Sequence, residues 1–188
     1  VEHYRVLRDS LWSAGDTANL WRAAIAYANA LTRLSRFDTA HAVLSQASSL
    51  ARGDKRREAT VRTQRALMHS RRGRLDSALI EARLALRLAN DAGDLRIEAG
   101  AVHVLGEANS LSGDYTAAIV ANERLLAVSR ELHDTAQIAL AFNQLAIDLR
   151  HVGRFDDASR VLEQALAINR SRKSDVGIAQ SLYNLSNV

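Results

Sequence analysis

The side chains that could do chemistry in this 188-residue chain are few and scattered. Six histidines occur, His3, His41, His69, His103, His133 and His151, and none sits at metal-ligand spacing to another. His103 and Glu107 stand four residues apart, so on a helix they share one face and could supply half of a zinc site; the plainer reading is an ordinary surface pair. There is no cysteine, which removes thiolate nucleophiles, thiolate metal sites and disulfides together. Neither a glycine-rich dinucleotide fingerprint nor a phosphate loop is present, and Gly73, Gly113 and Gly153 each stand alone in a turn. The tripeptide Arg52-Gly53-Asp54 reads as a linker with a helix cap. These features predict no catalytic residue, no cofactor and no metal, and hence a non-enzymatic chain.

Charge is distributed unevenly. The chain carries 25 Lys and Arg against 21 Asp and Glu, a net charge of +4, but the stretch from Arg52 to Arg74 holds Arg52, Lys55, Arg56, Arg57, Arg62, Arg65, Arg71, Arg72 and Arg74 against Asp54 and Glu58 only. That local +7 is a candidate basic patch, either a solvated face or a surface for an acidic protein partner. Nucleic acid is disfavoured, because no aromatic residue is interleaved to stack on bases.

The elements that must carry these residues follow from composition and periodicity. With no proline, aromatics at 5% and abundant Ala and Leu, the chain reads as all-helical. One phrase occurs four times: Ser35-Arg36-Phe37-Asp38-Thr39-Ala40, Gly73-Arg74-Leu75-Asp76-Ser77-Ala78, Gly113-Asp114-Tyr115-Thr116-Ala117-Ala118 and Gly153-Arg154-Phe155-Asp156-Asp157-Ala158. Between these lie short polar linkers ending in Asp16, Asp54, Asp94, Asp134 and Asp175. An aspartate there can accept the free amides of a first helical turn and meet the positive end of the helix dipole, and Gln137, three residues after Asp134, is placed as in a capping box. The turn glycines can take the left-handed conformation that ends a helix. Each unit of about 40 residues is thus linker, helix A, turn, helix B. Positions such as Ala158, Val161, Leu162, Ala165 and Leu166 form one buried stripe of helix B.

These phrases, with Leu105-Gly106, Leu145-Ala146 and Leu185-Ser186 in helix A, resemble tetratricopeptide repeats of the 40-residue type found in bacterial regulatory and sensor proteins. The family's proline is missing, Asn122 replaces a bulky residue, and Arg62 and Arg65 take usually apolar places. The resemblance implies antiparallel helix-turn-helix repeats stacked in a right-handed superhelical solenoid. It places a partial repeat at 1–13, full repeats at about 16–53, 54–93, 94–133 and 134–173, and a partial repeat at 175–188. That is one domain, expected to be a piece of a longer, cytoplasmic protein.

The resemblance also implies that helix A lines a concave ligand face. Carried over position by position, that face comprises Arg22, Ile25, Asn29, Arg33, Thr63, Leu67, Arg71, His103, Glu107, Asn143, Ile147, Arg150, Tyr183 and Asn187. Amides there could bond an extended backbone, while the apolar members supply contact. The family's clamp for carboxylate tails is not expected: Asn29 fits one place, but Ile25, Gln64, Gly100 and Val104 fill the others. The expected partner is a protein or peptide, with no membrane and no cofactor. The alternatives are self-association through uncapped repeat ends and a regulatory domain of a larger enzyme or transcription regulator.

Overall fold

The computed structural model describes residues 2–188, without the side chains of Glu2, His3, Arg5 and Trp12; Val1, the first residue of the expected partial repeat, lies outside the described residues. Among the described residues the regular structure is entirely α-helical: α1 (Glu2–Ser13), α2 (Thr17–Arg33), α3 (Phe37–Leu50), α4 (Lys55–Arg71), α5 (Leu75–Ala92), α6 (Leu95–Leu111), α7 (Tyr115–Glu131), α8 (Thr135–His151), α9 (Phe155–Ser171) and α10 (Asp175–Leu185). No helix among them is long and apolar enough to cross a membrane.

Local chemistry sets the helix ends. Asp16, Asp54, Asp94 and Asp134 accept amides of the following turn; Asp54 Oδ1, for example, takes the N–H groups of Arg56 and Arg57 at 3.0 and 3.1 Å. In the last linker the cap is Ser174, whose Oγ accepts from Gly177 N, and Asp175 is already the first helical residue. The capping box expected at Gln137 is not closed: its amide donates to Asp134, but its buried Oε1 has no partner. Glu58 makes the reciprocal contact instead, accepting the Gly53 amide at 3.0 Å. Gly73, Gly113 and Gly153 have φ of 77°, 82° and 79°, the left-handed region in which a side chain costs energy. Ser35, His133 and Lys173 adopt that conformation without being glycine.

The helices gather into two compact units, Val1–Ile97 and Glu98–Val188. In the first, each helix from α1 to α5 packs on the next and α2 also rests on α4. Its core includes Ala24, Ala28, Leu31, Leu44, Ala47 and Met68, with Tyr4, Trp21, Tyr27 and Phe37 half-buried against it. In the second, α8 packs on α7, α9 and α10, and α9 packs on α10, around Leu125, Phe142, Leu145, Leu149, Leu162 and Ala165. The alanines that close the repeated phrase, Ala40, Ala78, Ala118 and Ala158, are each 0% exposed. A methyl group there lets two helix axes approach closely, and a larger side chain would force them apart.

Two of the unusual residues of the sequence, Asn122 and Arg62, have structural partners. Asn122, fully buried on α7, donates from Nδ2 to Asp148 Oδ2 on α8 at 2.8 Å. Its Oδ1 would lie 2.9 Å from a Cβ built on Gly106, so the glycine of α6 makes room for the amide. Arg62 reaches Glu81 on α5 at 2.8 Å, so a cation at a usually apolar place is held by a carboxylate across the helix pair.

Candidate functional site

In residues 98–188 the structure brings four of the expected ligand-face residues together. Ile147 and Arg150 from α8, with Tyr183 from α10 and Asn187 just after it, line a cleft of about 230 Å³ with Ala146, Leu162, Gln180, Asn184 and Val188. The spacing explains the gathering. Positions 147 and 150 lie one turn apart on α8, Tyr183 lies on α10 with Asn187 four residues on in the turn that ends it, and α8 and α10 are in contact. Tyr183 is 66% exposed, and it presents an apolar ring with a polar tip. Arg150 Nη1 donates to the Asn187 carbonyl at 3.4 Å, and Asn187 Nδ2 donates to the Tyr183 carbonyl at 2.6 Å. The cleft therefore offers an apolar floor, a guanidinium, a phenol and amides, groups suited to hydrogen bonding and apolar contact with a chain segment.

Asn143 differs from the expectation of an exposed amide. It is buried: Nδ2 donates to the Ala139 carbonyl at 2.9 Å and to Ser181 Oγ at 3.2 Å, and Oδ1 accepts from Asn184 Nδ2 at 3.0 Å. Asn169 Nδ2 reaches the same serine at 3.3 Å, and Gln180 Nε2 donates to Asn184 Oδ1 at 3.1 Å. This buried amide network ties α8, α9 and α10 together behind the cleft, and sequence periodicity did not reveal it, because it depends on helices about 40 residues apart meeting. His103 and Glu107 are half-buried on α6. Burial holds the His103 imidazole below its ordinary range, with Glu107 opposing that effect, and His103 Nε2 has no partner. Among the described residues no group of three His, Asp or Glu side chains gathers as a metal site.

In residues 1–97 the expected ligand-face residues are more dispersed. Arg22, Arg33 and Arg71 are exposed, and Leu67 is half-buried. Ile25 packs against the core, Asn29 Nδ2 donates to Gln64 Oε1 at 3.1 Å, and Thr63 Oγ1 donates to the Ala59 carbonyl at 3.0 Å. None of the seven lines the clefts found in this unit. One of these clefts, about 600 Å³, lies among α1, α2 and α3 and is lined by Tyr4, Arg8, Leu20, Ala24, Gln46 and Leu50 among others. The sequence held no signal for it, since α1 reads alone as a partial repeat.

Sequence and structure comparisons agree on the class of the molecule. Residues 97–171, the segment holding nearly all of α6 and all of α7 to α9, match the family model described as tetratricopeptide repeat. A search of curated proteins by sequence finds no match. Among solved structures, aspartyl phosphate phosphatase F from Bacillus subtilis superposes with a TM-score of 0.89 at 12% identity, covering 98% of this chain and 49% of that one. BtubC from P. vanneervenii gives 0.83 at 20% identity, covering 98% and 76%. The apo form of RapI gives 0.78 at 16% identity, covering 89% and 62%, so the chain spans less than two thirds of the length of RapI. At these identities the likeness concerns the fold. Residues 97–171 belong to the tetratricopeptide repeat family, and the chain as a whole has the all-α, helix-pair repeat fold of that family.

Proposed function

We propose that this chain is a non-catalytic interaction module, a scaffold or sensor that holds a protein or peptide segment on its helix A face, with the cleft of Ile147, Arg150, Tyr183 and Asn187 as the contact in residues 98–188. The observation that carries the reading is the convergence of those four side chains, from two consecutive A helices, around one cleft. An exposed tyrosine over an apolar floor is the kind of anchor on which binding energy concentrates, and Arg150 with the flanking amides can bond a peptide backbone or a carboxylate. A regulatory setting is supported by the fold relative from Pyrococcus horikoshii, a signal transduction ATPase with a tetratricopeptide repeat sensor, which matches with a TM-score of 0.76 at 15% identity over 89% of this chain and 26% of that one.

The test is capture from source-cell lysate by the wild-type chain beside a Tyr183→Ala, Asn187→Ala double variant. Both side chains are exposed, so circular dichroism should stay unchanged. Loss of an anchoring tyrosine costs about 2 kcal/mol, which is roughly a thirtyfold loss of retention for a direct partner. Equal retention by both forms sinks the proposal. A second reading, self-association through α10, draws on Val176, 84% exposed, and Leu182 on the same helix. A concentration-independent monomer mass in sedimentation refutes it, and dimerisation abolished by Val176→Glu supports it.

A further inference from the structure

Most of the positive charge between Arg52 and Arg74 is answered inside the first unit. Lys55 pairs with Asp91 at 3.1 Å, Arg56 with Asp94 at 3.5 Å, Arg57 with Asp54 at 3.2 Å, Arg62 with Glu81 at 2.8 Å and Arg72 with Asp38 at 2.9 Å. Arg57 and Arg72 also lie over the rings of Trp21 and Phe37, 5.6 and 5.9 Å from the centroids, so aromatic partners absent from the basic stretch itself come from α2 and α3. Among the described residues Arg52, Arg65, Arg71 and Arg74 have no carboxylate within 4 Å, and two of these four, Arg52 and Arg65, line one cleft of about 400 Å³ between α3 and α4.

The lining of that cleft suits an oxyanion. Arg52, Arg62 and Arg65 face Ser45, Ser48 and Ser49, which follow one another on α3 at the spacing of a single helix face. Arg65 Nε is buried and has no acceptor, an unfavourable state for a guanidinium N–H that a bound anion would relieve. Arg62 uses Nη1 on Glu81, which leaves the rest of its fork of donors. Ser45 and Ser49 donate to the carbonyls of His41 and Ser45, whereas the Ser48 hydroxyl makes no bond among the described residues. Glu58 is the one carboxylate on the lining, and its Oε1 is occupied by the Gly53 amide. With Arg62 balanced by Glu81, Arg52 and Arg65 against that carboxylate leave one net positive charge, the sign an oxyanion requires. A tetrahedral phosphate has enough acceptors for several guanidinium forks and a hydroxyl, and charge-assisted bonds of this type are the strong ones.

We propose that the cleft between α3 and α4 binds a phosphate group, free or esterified, through Arg52, Arg62, Arg65 and Ser48. This site is separate from the Tyr183 cleft and stands without it. It is tested by titrating the intact chain with inorganic phosphate at constant ionic strength set by chloride, following the arginine Nε–H signals by NMR, with O-phosphoserine as a second arm. The expected result is saturable, one-to-one movement of the Arg65 signal, weakened at least tenfold by Arg52→Gln, an exposed position that does not threaten folding, and changed less than twofold by Arg74→Gln. Tighter binding of O-phosphoserine assigns the site to a phosphorylated side chain, and equal binding assigns it to a free phosphate; either supports the site. Movement that never saturates, or equal weakening by Arg52→Gln and Arg74→Gln, means a diffuse basic surface and overturns the proposal.

Discussion

Replacing Gly177 by alanine sets two effects of opposite sign against each other, and the structure decides between them. Inside a helix, alanine is favoured over glycine by about 1 kcal/mol, so helix propensity alone predicts stabilisation of α10. A Cβ at Gly177, however, would lie 2.5 Å from Asn169 Cγ and 2.8 Å from its Nδ2. Asn169 has little freedom to retreat: it is buried on α9, donates to Ser181 at 3.3 Å and accepts from Arg172 Nη1 at 3.3 Å. Overpacking costs about 1–3 kcal/mol, and each hydrogen bond surrendered by a displaced Asn169 about 1 kcal/mol more. The expected balance is a loss of about 2 kcal/mol in the docking of α10 on α9. Because repeat stability is largely a sum of neighbour terms, the loss should appear first in α10. The assay is native-state hydrogen exchange, in which the α10 amides should exchange roughly thirtyfold faster, with amides of the first unit unaffected. Adding Asn169→Ala to the variant removes the obstacle and should recover most of the loss. Slower exchange in Gly177→Ala alone would refute the reasoning, since propensity would then have prevailed over packing.

Three other perturbations probe other parts of the argument. Gly153→Ala should destabilise by about 1 kcal/mol through backbone strain alone, as no atom lies within 4 Å of the added methyl, while His133→Gly should relieve a similar strain; urea unfolding compares them, and equal signs for the two would count against the left-handed turn argument. Burial raises the Asp148 carboxyl above its usual range, outweighing the opposing effects of Ser110, Asn122 and His151. A group with a raised folded pKa lends stability below the unfolded value that is lost as pH rises through the folded value. Asp148→Asn should therefore stabilise the chain by about 1 kcal/mol at neutral pH, letting its amide pair with the orphaned Asn122 Oδ1, with the advantage shrinking towards pH 4; thermal melts across that range check it, and a pH-independent difference would contradict it. Ala158→Leu should overpack the α8–α9 contact and cost about 1–3 kcal/mol, read from the melting temperature, and an unchanged melting point would mean that this alanine is not a close-approach site.

The repeat period, the helix ends and the buried alanines were legible in the sequence because each depends on chemistry within a few residues. An aspartate caps the turn that follows it, a lone glycine turns the chain where left-handed backbone is needed, and an alanine at a fixed phase sits on the buried stripe. Ser174 replaced Asp175 as a cap only because two capping residues stood side by side, a one-residue ambiguity that hydrogen-bond geometry resolves. Tertiary structure alone decided what depends on helices some 20 to 40 residues apart. It turned Asn143 from an exposed contact into the centre of a buried amide network, closed Gly106 and Gly177 against asparagines of neighbouring helices, and joined Ile147, Arg150, Tyr183 and Asn187 around one cleft. It also separated a stretch of nine cations into five paired by carboxylates and four left unpaired, two of them in one cleft, a division set in part by where Asp38, Glu81, Asp91 and Asp94 come to rest. Periodicity assigns a residue to a side of its helix, whereas burial and pairing depend on what the next helix brings to that side.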